Sequence, residues 1–168
     1  MPKADVFGHR ALLFINNPHA STFEDPTGMG KHYDIVTDPA PTEYSVPVNA
    51  VSVGDGDVAV VYRVDAGAHH RDPGKIVAVA RILTSPWQNR WEEVGVNWDV
   101  MLLPPEDWLT SQEMKASGLW VNRVPLTQQT QASSPVRLDV QQWQWLTTRL
   151  PGAAVEWLET HAKGPAST

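Results

Sequence analysis

Two stretches decide the fold: Gly54-Asp55-Gly56-Asp57-Val58-Ala59-Val60-Val61-Tyr62-Arg63-Val64, and then, after ten intervening residues, Lys75-Ile76-Val77-Ala78-Val79-Ala80-Arg81-Ile82-Leu83. Gly54–Asp57 is turn chemistry, and Val58–Val64 is β-branched and aromatic, which fits a pleated strand. Asp65–Gly74, with Gly67 and Pro73, reads as a hairpin loop, and Lys75–Leu83 as the partner strand. Side chains alternate along a strand, so Ile76, Ala78, Ala80 and Ile82 should share one face. Val77, Val79, Arg81 and Leu83 should share the other. Apolar residues on both faces imply a barrel strand covered outside by another element.

Outward from this hairpin, Ala11–Asn16 reads as a buried strand and Val96–Leu103 as another, with Trp98, Val100 and Leu102 on one side. Asn17–Asn49 is long, rich in Pro, Gly, Asp and Thr, and without periodicity; loops of this length are usually functional or hide a short helix. Thr110-Ser111-Gln112-Glu113 is a capping box opening a short helix that Gly118 ends. Asp139 can cap a second helix, with Val140, Trp143, Leu146 and Leu150 at helical spacing, and Pro151-Gly152 stops or kinks it. A last amphipathic turn or two runs through Val155, Trp157 and Leu158. The expected architecture is α+β: a small, mostly antiparallel β-barrel with peripheral α-helices. Residues 1–10 are expected as a flexible lead, 11–160 as a single domain and 161–168 as a tail.

Composition limits the chemistry. With 168 residues and 42% hydrophobic content the chain can bury one real core. The absence of cysteine excludes disulfides, thiolate nucleophiles and cysteine-ligated zinc or iron–sulfur centres. No apolar run approaches the roughly 18 residues of a membrane span, and none near the start matches a signal-peptide core, so a cytoplasmic protein is expected. The formal charge of −6 argues against a generic basic nucleic-acid coat. That value hides a segregation: Arg63, Arg71, Lys75, Arg81 and Arg90 form a basic strip between acidic stretches.

No G-x-S-x-G elbow, phosphate-cradling glycine loop or paired catalytic carboxylates stand out. Adjacent His69 and His70 point apart in an extended loop and cannot easily share one ion, so no metal site and no cofactor is expected. Phosphate contact by this tip, through His69, His70 and Arg71, is the better reading. Eight tryptophans are far more than ordinary usage. Most fit core or helix-flanking positions, with Trp143 on the core face of its helix and Trp145 packed on a neighbour. Trp87 and Trp91, either side of Arg90 in a polar loop (Ser85–Val94), look like a base-stacking platform.

In order along the chain stand Asn16-Asn17-Pro18, Gly30-Lys31-His32-Tyr33, the Gly54–Arg63 strand and Pro73–Ile82. Asn97-Trp98-Asp99-Val100 and Gln131-Ala132-Ser133-Ser134-Pro135-Val136-Arg137-Leu138 follow. This ordered set, spanning roughly residues 11–150, resembles the EVE domains of the PUA-like superfamily, relatives of the YTH readers of methylated adenine. The resemblance implies a non-catalytic module that holds a modified base, often flipped out of its strand, in an aromatic cage. The base is expected to be 5-methyl- or 5-hydroxymethylcytosine in DNA.

Carried over by position, Tyr33 and either Trp87 or Trp91 match the cage aromatics. Asn16 or Asn17 matches a base-edge contact, and Asn97 and Trp98 the pocket floor. Tyr in place of the first cage Trp is a departure from the relatives. Lys31, His69, His70, Arg71, Lys75, Arg81 and Arg90 are the expected phosphate contacts. Cleavage, if coupled, is expected from a separate nuclease or NTPase, since neither motif is present here. Two alternatives stay open: an RNA-binding PUA-like domain, and an ASCH-like amidohydrolase acting on a modified nucleoside through Lys31 and Thr84.

Overall fold

The computed structural model describes residues 2–16, 34–37, 46–47, 53–64, 74–88, 94–120 and 135–163. The sequence candidates Asn17, Lys31, Tyr33, His69, His70, Arg71, Arg90 and Trp91 lie outside the described residues.

Both deciding stretches form strands. β4 (Val58–Val64) and β5 (Gly74–Ile82) pair antiparallel. β2 (His9–Asn16) flanks β4 in parallel, and β8 (Trp98–Leu102) flanks β5 antiparallel. The short strands β1 (Asp5–Val6) and β10 (Val136–Arg137) lengthen the β2 side, and β9 (Leu109–Thr110) pairs β5. Every pairing but β2–β4 is antiparallel, and the sheet curls into a half-barrel. Phe14 on β2 and Trp98 on β8 show the curl: two strands stand between theirs, yet their rings meet edge-to-face at 5.3 Å. A second, three-stranded sheet joins β3 (Val46–Pro47), β7 (Val94–Val96) and β6 (Trp87–Gln88). The fold is therefore mixed α+β.

β5 is covered on both sides, as its apolar pattern requires, but the alternation breaks. Val61 pairs Ala78 while Tyr62 pairs Ile76, so Val77 is an extra residue: a β-bulge. Beyond the bulge the faces exchange. Ile76 and Val79 pack with Leu13, Val60 and Tyr62, whereas Val77, Ala78, Ala80 and Ile82 pack with Leu12, Phe14 and Val61 on the inner side. The expected grouping of Ile76 with Ala78, Ala80 and Ile82 is corrected accordingly.

Among the described residues three α-helices cover the outer face: α1 (Ser111–Ala116), α2 (Val140–Arg149) and α3 (Gly152–Lys163). Both expected caps are present as full boxes, Thr110 with Glu113 and Asp139 with Gln142. Met114, Leu146 and Leu158 are fully buried against the sheet. Each such side chain stabilises by about 1.5–3 kcal/mol relative to exposure. The core face of α2 differs from expectation: Gln142 and Leu146 are buried and Trp143 only half-buried. Gln142 belongs inside because its side chain closes the Asp139 cap and donates to the Leu119 carbonyl.

Both chain ends are more integrated than the expected lead and tail. Ala4 and Val6 are buried, β1 pairs β2, and Ala4 N–H donates to the Leu138 carbonyl. α3 continues through His161 and buried Ala162, with a hydrogen-bonding contact of 3.2 Å between His161 Nε2 and the Ile82 carbonyl. The β1–β2 connection is a two-residue hairpin, Phe7-Gly8, with both φ angles positive at 52° and 86°. The left-handed region costs a residue with a Cβ roughly 1–2 kcal/mol, and Asn-Gly is the usual solution in such a turn.

Candidate functional site

β5 ends at Ile82, and the chain turns through Leu83 and Thr84 into β6. It then returns through β7 to Asn97 and Trp98. Two hydrogen bonds close this turn: Leu83 N–H donates to the Asn97 carbonyl (2.8 Å), and Asn97 N–H to Thr84 Oγ1 (3.0 Å). Asn97 Oδ1 accepts the indole N–H of Trp87, fixing that ring on the surface, where the residue is 37% exposed. Trp98, in register with Ile82, points inward onto Phe14 and is 7% exposed. Its indole Nε1 is buried and has no hydrogen-bond partner among the described residues. Leaving a buried donor unpaired costs about 1–3 kcal/mol. Trp120 Nε1, on the helix side, is in the same condition.

Of the sequence candidates, Trp87 and Asn97 are therefore joined by a hydrogen bond, while Trp98, next along the strand, lies inside the barrel. The expected polar loop around Trp87 is in fact the start of a strand, and the expected single strand 96–103 breaks at Asn97. That break lets Asn97 face the Trp87 indole while Trp98 turns into the barrel.

Asn16 is placed differently. It is 2% exposed at the far end of β2, in register with Arg63, which is in register with Lys75. Asn16 Oδ1 accepts the Ile35 N–H at 3.1 Å and so anchors the 34–37 turn. Arg63 makes a two-pronged pair with Asp34 through Nε (2.9 Å) and an Nη (2.8 Å). Asn16 and Arg63 thus hold the 34–37 turn against the ends of β2 and β4. Sequence reasoning missed Arg63 and Asp34, although both were visible as the first base of the basic strip and the first acid of the stretch before it.

The bulge also divides the expected phosphate contacts. Lys75 and Arg81, six residues apart, should share a face, but the extra residue between them sends Arg81 to the helix side. There its guanidinium lies 3.7 Å from the centroid of Trp157. With Met101, Ala153, Glu156 and Thr160 the pair lines an open groove of about 300 Å³. Burial lowers the pKa of Arg81 from its usual value, and nearby Asp99 partly opposes this. Arg81 is thus not beside the Trp87–Trp98 cluster.

Among the described residues no group of three or more His, Asp or Glu could hold a metal ion, and no helix is long and apolar enough to cross a membrane. Comparison with family models, curated proteins and solved structures found no match.

Proposed function

We propose that the chain is a PUA-like barrel of the EVE kind that binds nucleic acid and reads a modified base, with 5-methyl- or 5-hydroxymethylcytosine in DNA as the favoured ligand. The observation that carries this reading is the trio at the end of β5. An exposed indole (Trp87) is hydrogen-bonded to an amide (Asn97), and the next residue carries a buried indole (Trp98) whose N–H has no acceptor among the described residues. A base carries what such a site takes: a flat face for stacking, worth about 1–3 kcal/mol, and carbonyl or ring-nitrogen acceptors for a donor. An extruded base has lost both kinds of partner and regains them here. In this reading Tyr33 is the other cage aromatic and Trp91 the alternative to Trp87; both lie outside the described residues.

The test is equilibrium binding of matched oligonucleotides, as DNA and as RNA, carrying cytosine, 5-methylcytosine or 5-hydroxymethylcytosine. The wild-type protein should prefer a modified base over its parent, and Trp87→Ala should weaken that binding about 10-fold or more. Equal affinity for parent and modified bases in both nucleic acids would overturn the reading.

A further inference from the structure

Phe7 combines two unfavourable features. It is a bulky residue in the left-handed region at φ 52°, and it is 55% exposed, so burial within the chain does not offset the strain. Its ring contact among the described residues is the Lys163 ammonium, 4.9 Å from the centroid. Exposed strain of this kind points to a use outside the chain.

The hairpin tip connects to the Trp87 site through a continuous path. His9, paired with Val6 across the turn, lays its ring against Gly56, where an added Cβ would overlap it. Gly56 N–H donates to the Ile82 carbonyl, and Leu83 N–H to that of Asn97, which holds Trp87. Three exposed large apolar residues lie along this edge: Phe7 at 55%, Leu83 at 45% and Trp87 at 37%. Around the tip stand Lys163, Arg10 and His9, with Asp5 and Asp55 as the exposed acids and Asp57 buried beneath. On a chain of formal charge −6, an exposed ring with Lys163 and Arg10 close by suits a phosphate-bearing strand with stackable bases.

We infer that Phe7 is a second stacking contact, on which a nucleic-acid strand engaged at Trp87 rests another of its bases, with Lys163 facing its phosphates. This deepens the proposed function and rests on it for the class of ligand. Such a contact is indifferent to base modification, because every base has a π-face.

The test is Phe7→Asn, with Phe7→Trp as its companion, measured by thermal unfolding and by binding of the cytosine and 5-methylcytosine oligonucleotides. Asn relieves the strained turn, so Tm should rise by about 2–4 °C. Affinity should fall about 10-fold for both oligonucleotides alike, leaving their ratio unchanged, and Phe7→Trp should retain it. A higher Tm with wild-type affinity would overturn the inference and leave base reading standing. An equal loss from Phe7→Asn in a protein without modified-base preference would support the stacking contact while removing the base reading. Loss of a concentration-dependent dimer with unchanged oligonucleotide affinity would assign the tip to a second copy and overturn the inference. So would a wild-type protein that binds neither oligonucleotide.

Discussion

Asp57 is 1% exposed, and its carboxylate accepts from the backbone N–H groups of Gly54 (2.9 Å) and Arg10 (2.8 Å). The Arg10 guanidinium adds a third donor at 3.2 Å. One side chain thus closes the turn before β4 and fastens it to β2. Asp57→Ala leaves two backbone donors and half of an ion pair without their acceptor, and should lower unfolding free energy by about 2–3 kcal/mol, measured by urea denaturation. Beside it, Gly56 has φ 99° and no room for a Cβ against His9. The turn at Gly54–Asp57 was legible in the sequence because its residues carry their own conformational preferences. The fastening was not, since nothing local in Asp57 announces a partner 47 residues away.

At the scale of elements, the β5 bulge does most to rearrange the expected picture. Alternation identified the strand and its two covered faces correctly, because that needs only apolar residues at both parities. It misassigned Ile76 and put Lys75 and Arg81 on one face, because one extra residue inverts every later position and leaves no mark in composition. Arg81 then lies under Trp157, where burial disfavours its charge more than Asp99 favours it. The lowered pKa means that the folded state gives up this proton before the unfolded state does. The contribution of Arg81 to stability therefore rises with pH only in the alkaline range below the ordinary arginine value, and near neutrality its partly buried charge is a small cost. Arg81→Met keeps the stem against Trp157 and removes that charge, so unfolding free energy should stay within about 1 kcal/mol of wild type or rise. A loss well above that would mean that the guanidinium itself, through its ring contact, holds α3 to the sheet.

For the whole molecule, the curled sheet sets an inner face that ends in Trp98 against an outer face packed by helices. The hydrophobic pattern made this division readable, and the polar residues Thr110, Glu113 and Asp139 did the same for the caps of α1 and α2. That Trp87 lies near Asn97 was readable because the two are local in sequence, and the burial of Trp98 from its alternation with Val100 and Leu102. The hydrogen bond of Asn16 to Ile35 was not legible, because a polar residue at a strand end looks the same whether it faces a ligand or, as here, holds the Ile35 N–H. Phe7 was missed because a hairpin with Phe in place of Asn hides its turn signal. The central claim, that a base sits against Trp87 and Trp98, is tested most directly by indole N–H resonances in a ¹⁵N–¹H spectrum. Trp87→Phe and Trp98→Phe would assign the two signals. On titration with a 5-methylcytosine oligonucleotide, the Trp98 N–H should shift downfield as it gains an acceptor, with Trp87 moving at the same concentration, and cytosine should do this far more weakly. If both signals stay fixed while the oligonucleotide binds, or respond equally to either base, the account is contradicted.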